Sequence, residues 1–268
     1  MSSFDSYIGI DYSGAQAPTS RLPGLQVFIA VPGARPVKRH SPALSNNTQR
    51  CNWTRKEIAA DLLVRARGGE RFLAGIDHGF SFPNAYFMRY QLQTWPEFLA
   101  DYVKHWPTDG DHVYVDFVRD GNLERRGGPA PGLRVGKPTE FRRCERWTSS
   151  AKSVFQFDVQ GAVAKSTHAG IPWLKFLRDQ VADRIHFWPF DGWEPVPGKA
   201  VIAEVYPSIF RKRFDPQGRS ADEQDAYATA RWLSEMDACA ILPRYFSPPL
   251  ADTERAIAER EGWILGVG

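Results

Sequence analysis

Cysteine is scarce: Cys51, Cys144 and Cys239 are the only three in 268 residues. They are far apart and odd in number, which argues against a disulfide framework and fits free thiols in a reducing compartment. No CxxC pair and no Cys/His cluster with zinc spacing occurs, and His40, His78, His105, His112, His168 and His186 form no metal-spaced pair. No apolar run reaches the roughly eighteen residues of a membrane span. The start "MSSFDSYIGID" lacks the basic-then-apolar layout of a secretory signal. A cytosolic location without membrane insertion is therefore expected, and the oligomeric state is left open. No G-x-S-x-G nucleophile elbow is present. "GAVAKST" fails as a phosphate-binding loop because Ala164 stands before Lys165 and Gly161 is too close.

What remains is an ordinary globular composition, 43% hydrophobic and 24% charged. The first forty residues hold three strand-like runs, "SYIGIDYSG", "LQVFIAVP" and "RPVKRHS", punctuated by Gly and Pro as in a meander. "WTRKEIAADLLVRARGG" predicts a helix with Thr54 as N-cap and Glu57 completing a capping box. "RFLAGIDHG" is a further short strand, giving an opening order β-β-β-α-β. From 80 to 165 the periodicity loosens, with "WPEFLADYVKHW" helical and "DHVYVDFV" strand-like, and this stretch is expected to be an insertion within one domain spanning 1–268. Regular structure resumes with "IPWLKFLRDQVA" as a helix with Pro172 in its first turn. The strands "RIHFWPF" and "KAVIAEVYP" follow, then a helix from Ser220 with Glu223 as its capping partner, and a last helix over "LADTERAIAEREGWILG".

Three strand-like runs each carry an acid: Asp11, Asp77 and Glu204. Asp222 and Asp225, three apart at a helix start, share a face that continues through Ala226, Thr229 and Leu233, residues suited to lying on a sheet. Carboxylates gathered without Lys or Arg between them call for a hard cation, Mg²⁺ or Mn²⁺, and several suit two ions of a phosphodiester-cleaving site. Singly, each has a plainer explanation. Asp11 and Asp77 can cap strand ends, Glu204 can pair with Arg211 or Arg213, and Asp222 and Asp225 can favour the helix dipole.

"YIGIDYSGAQ", "LAGIDHGFSFP", "IAEVYPSIF" and "DEQDAYATARWL", in this order, resemble the motifs of an uncharacterised family of predicted nucleases with a ribonuclease H-like fold, a domain of unknown function. The last resembles the acidic helix of RuvC-type resolvases, and the ending "EREGWILGV" is also similar to that family. The resemblance implies an α/β fold: a mixed sheet of five or slightly more strands, the first three antiparallel, with helices on both faces and a large insertion after the fourth strand. It implies that Asp11 bridges two ions, that Asp77 and Glu204 hold one each, and that Asp225, with Asp222, completes the site.

Between Arg119 and Lys152 nine Lys/Arg face four acids, a local excess of +5 in a chain of net +3. This basic segment, with Arg142 and Arg143, is a candidate track for a nucleic-acid backbone, and Trp147, Phe155 and Phe157 are candidates for stacking on bases. Ser13, Lys152, Gln156, Lys165, Ser166 and His168 are candidates for lining the site, and His78 beside Asp77 for acid-base work. The sequence thus points to a metal-dependent nuclease with a nucleic-acid partner. The competing expectations are an ATP-handling protein of the actin and sugar-kinase type, or a non-catalytic nucleic-acid-binding module on the same fold.

Overall fold

The computed structural model describes residues 3–43, 52–120, 133–148 and 150–268. Cys51 and the basic positions Arg125 and Arg126 lie outside them. A mixed seven-stranded sheet forms the centre, ordered β3-β2-β1-β4-β6-β5 with β7 on β6. β1 (Ser6–Asp11), β2 (Gln26–Ala30) and β3 (Val37–Arg39) are antiparallel neighbours. β4 (Phe72–Asp77) runs parallel to β1, and β5 (Ile185–Trp188), β6 (Ala200–Val205) and β7 (Ile264–Leu265) continue the parallel half. The fold is α/β, and the antiparallel opening agrees with the sequence expectation.

Alternation along the strands splits the core in two. Ile8, Ile10, Ala74, Ile76 and Ile202 face α1 (Arg55–Arg67) and α6 (Ala164–Val181). Tyr7, Leu73, Val201, Ala203 and Val205 face α7 (Ala221–Ala238) and α8 (Leu242–Phe246). Both expected capping boxes are present, at Thr54/Glu57 and Ser220/Glu223. Among the described residues no helix is long and apolar enough to cross a membrane.

The stretch between β4 and α6 carries α2 (Asn84–Tyr90), α3 (Trp95–His105), α4 (Val115–Arg119) and α5 (Arg143–Trp147). Its apolar side chains, including Phe82, Phe98, Tyr102, Trp106 and Phe155, enter the same cluster as Ile10 and Ile76. "DHVYVDFV" is therefore no strand: Val115 and Val118, three apart, are buried on a helical turn that packs against α6.

α6 begins at Ala164, so Pro172 lies in its interior instead of its first turn. Proline has no N–H to give the carbonyl four residues back, that of His168. The Tyr102 and Thr108 hydroxyls donate to that oxygen at 2.9 and 2.6 Å, which is why the helix tolerates the proline. The last helix also stops earlier than expected. α9 (Asp252–Glu261) ends before Gly262, whose φ of 77° breaks it, and the chain turns into β7 beside β6.

α7 lies on the sheet where β1 and β4 have glycine. A Cβ at Gly9 would meet the Ala226 carbonyl oxygen at 2.0 Å and the Ala230 nitrogen at 2.6 Å. A Cβ at Gly75 would meet Thr229 Cγ2 at 2.7 Å and Val205 Cγ1 at 2.8 Å. Gly9→Ala is accordingly expected to destabilise the protein by about 1–3 kcal/mol, the usual cost of overpacking against rigid neighbours. Urea unfolding checks this, and an unchanged midpoint would contradict the close approach.

Candidate metal centre

Strand register delivers the first two acids. Asp11 and Asp77 are direct neighbours across the β1–β4 pair, as are Gly9 and Gly75 two residues earlier. Residues two apart share a face, so both carboxylates emerge on the side where the glycines admit α7. The first turns of that helix then bring in Asp225. Thr229 Oγ1 donates back to the Asp225 carbonyl at 2.9 Å, which leaves the Thr229 methyl against Gly75. One carboxylate oxygen from each of Asp11, Asp77 and Asp225 lies within 4.8 Å of the others, and all three residues are half-buried. Asp222 is exposed at the rim, near Ser13 and Gly24.

Two full negative charges no more than 4.8 Å apart repel by at least about 3.5 kcal/mol at an effective dielectric constant near 20. Burial raises the Asp11 pKa well above the ordinary carboxylate value, reinforced by Asp77, Asp222 and Asp225. Burial does the same at Asp77, reinforced by Asp225 and Glu204. Arg211 opposes this, its Nη1 donating to both Asp225 oxygens at 2.8 and 3.1 Å. Even so, burial leaves the Asp225 pKa raised. One guanidinium at the edge does not balance the cluster. The donor set, three converging carboxylates with no sulfur or imidazole, fits a hard divalent cation such as Mg²⁺ or Mn²⁺.

Glu204 does not join the three. Its register partner on β4 is Ile76, so its side chain leaves the sheet on the opposite face from Asp77. There it pairs with Arg142 at 2.6 Å, both side chains almost wholly buried. Its partner is thus neither Arg211 nor Arg213. Arg142 also donates to Glu145 at 2.9 Å, so it is an internal anchor and not a surface contact for substrate. Breaking such a buried pair typically costs about 3–5 kcal/mol.

Several other nominated residues prove structural. His168 is enclosed by Phe82, Trp106 and Phe157, with Nδ1 2.8 Å from the Ala164 carbonyl. Burial depresses its pKa to about 3, so it stays neutral in the core. His78 is also buried, between Tyr12 and Phe80, its pKa lowered by burial to about 4, and it faces the backbone of α6 at Gly170. Ser166 donates to Val163 and is buried, as is Phe155. Phe157 is half-buried against Trp106. Gln156 accepts from the Ser153 amide at 3.2 Å, and Arg143 turns towards Glu254 and Glu261 of α9. Lys165 pairs with Asp116 at 2.8 Å while remaining partly exposed. Lys152 is exposed and lines a narrow cleft with Asp77 and Glu204, and Trp147 is 43% exposed.

Arg55 escaped the sequence reading altogether, and Arg211 was weighed there only as a partner for Glu204 instead of Asp225. Arg55 is fully buried and donates to the carbonyls of Ser13, Ala15 and Gln16 at 3.0, 2.7 and 2.7 Å, clamping the loop that follows Asp11. Arg211 heads the run Arg211-Lys212-Arg213, whose last two members are exposed. The repeat Gly-Ile-Asp at 9–11 and 75–77 is the sequence signal for the paired acids and for the helix packed behind them. Comparison with protein-family models, curated proteins and solved structures finds no match to this chain.

The raised carboxylate pKa values give the metal-free protein a definite pH dependence. Above the unfolded carboxylate value near 4, the folded cluster retains protons that the unfolded chain has released, so this contribution destabilises the fold as pH rises through the window. Asp77→Asn removes one source of repulsion. In EDTA at pH 8 the variant is expected to melt higher than wild type, by roughly 2–4 °C for each 1 kcal/mol relieved, with the gap closing as pH falls to about 4. A variant that melts lower at pH 8 would contradict the repulsion.

Proposed function

We propose that the protein is a metal-dependent nuclease that hydrolyses phosphodiester bonds of nucleic acid. The observation that carries this is the convergence of Asp11, Asp77 and Asp225 from two adjacent parallel strands and one helix, oxygens within 4.8 Å. Such a site needs a cation and opens at the strand ends. A ribonuclease H-like assignment is supported by the sheet order, with an antiparallel β3-β2-β1 meander, β4 parallel to β1, and a closing helix that brings the last acid.

In this reading Asp11, Asp77 and Asp225 hold Mg²⁺ or Mn²⁺, with Asp222 at the rim. A hard divalent cation bound there supplies neutralisation of the carboxylates and Lewis-acid activation of water and a phosphoryl oxygen. Asp11 is held by the Arg55 clamp on its following loop, and Asp225 by Arg211. Lys152 is exposed and lines the cleft beside Asp77, where a cationic side chain favours a phosphate backbone, and Lys212 and Arg213, next in sequence to the Arg211 that binds Asp225, are exposed as well. The fixed carboxylate frame, rather than any histidine, carries the chemistry. His78 and His168 are both held neutral in the core.

The test is incubation of purified protein with single-stranded, duplex and branched DNA and RNA, in Mn²⁺ and in EDTA. Mn²⁺-dependent cleavage of at least one class is expected. Asp11→Asn and Asp225→Asn are each expected to lower its rate more than about 100-fold, equivalent to about 2.7 kcal/mol of transition-state stabilisation, without loss of fold. Undiminished cleavage by both variants, or none by wild type on any substrate, would overturn the proposal.

A further inference from the structure

Glu204 stands one residue before the end of β6, as Asp77 stands at the end of β4, yet its carboxylate already accepts three hydrogen bonds. Arg142 Nη2 donates to Oε1 at 2.6 Å and Nη1 to Oε2 at 2.7 Å, while the Phe80 amide donates to Oε2 at 3.0 Å. The guanidinium side chain is 1% exposed and the carboxylate 4%. The paired fork-to-carboxylate geometry is the strongest that arginine makes. Arg142 is also tied at Nε to Glu145, at 2.9 Å, and Glu145 Oε2 accepts from the Arg142 amide. Glu204 nevertheless borders the same narrow cleft as Asp77. The place beside Glu204 where a second cation would sit thus already holds a fixed positive charge.

We propose that the site binds one divalent cation per chain, on Asp11, Asp77 and Asp225, and that the Arg142 guanidinium takes the place of a second ion at Glu204. The inference rests on the metal-dependent reading above and departs from the expectation of two ions. Mg²⁺ sheds its water reluctantly, and displacing Arg142 would strand a buried guanidinium and Glu145 without their partner. Glu204 is then a positioning residue. Through the Phe80 amide it holds the turn Asp77-His78-Gly79-Phe80, so the insertion helix α5, by way of Arg142, sets how Asp77 is presented.

Counting Mn²⁺ on the full chain, by calorimetry with electron paramagnetic resonance of the free ion, tests this without any activity measurement. One tight ion per wild-type chain is expected. Arg142→Gln, with its fold checked by circular dichroism, frees the Glu204 charge in the cleft that Asp77 also borders and is expected to raise the count to two, an effect a merely structural arginine would not produce. Two ions on wild type would overturn this inference and leave the metal-dependent reading intact, whereas none would overturn both. A folded Arg142→Gln protein still binding one ion would refute the substitution of guanidinium for metal. Should that variant not fold, the wild-type count decides.

Discussion

The contact on which the rest depends is the seating of α7 on bare backbone at Gly9 and Gly75. Glycine at both positions lets the helix approach closely enough for its carbonyls and the Thr229 methyl to touch the sheet. A side chain at either would force the helix or the strand to shift, because the nearest atoms at Gly9 are backbone. That proximity turns a helix N-terminus and two strand ends into one cluster. Asp225 reaches Asp11 and Asp77 because nothing stands between helix and sheet. The same geometry creates the electrostatic cost, since the three oxygens sit within 4.8 Å of one another.

The two faces of the sheet handle acids in opposite ways. On the α7 face three aspartates share, among the described residues, a single arginine, Arg211, which is bound to one of them. On the other face Glu204 is balanced by Arg142, which Glu145 also binds. Under the proposed function the first arrangement is the one that takes an external cation, while the second is closed by Arg142. This difference also gives the stretch between β4 and α6 a purpose. Its aromatic residues extend the core under α6, Tyr102 and Thr108 repair the hydrogen bond lost at Pro172, and Arg142 ties it to the strand ends next to the cluster.

Features governed by neighbours in sequence were legible before the structure. Thr54 with Glu57 and Ser220 with Glu223 announce their helices, because a capping box needs only four consecutive residues. Asp11, Asp77 and Asp225 were legible as ends of apolar runs and the start of a helix, and the spacing of Ala226, Thr229 and Leu233 told which side of α7 meets the sheet. Features set by register or distant packing were not. Glu204 looks like Asp77 along the chain, and only the pairing of Ile76 with Glu204 sends its carboxylate to the other face. His168 lies in a polar-looking stretch, but its cage is assembled from Phe82, Trp106 and Phe157, far apart in sequence. Arg142 reads as one more charge in a basic segment until the fold encloses it. The final Ile264–Leu265 pair becomes a strand only because β6 offers an edge.

The central claim is that Asp11, Asp77 and Asp225 together form a cation site at the ends of β1 and β4. Crystals of the full chain grown with Mn²⁺ and measured at its absorption edge test this most directly. The account predicts an anomalous peak about 2.0–2.3 Å from one oxygen of each of the three carboxylates, within the range of hard-cation oxygen contacts, with Glu204 still on Arg142. No peak between those carboxylates at saturating Mn²⁺, or a peak held elsewhere, would contradict it.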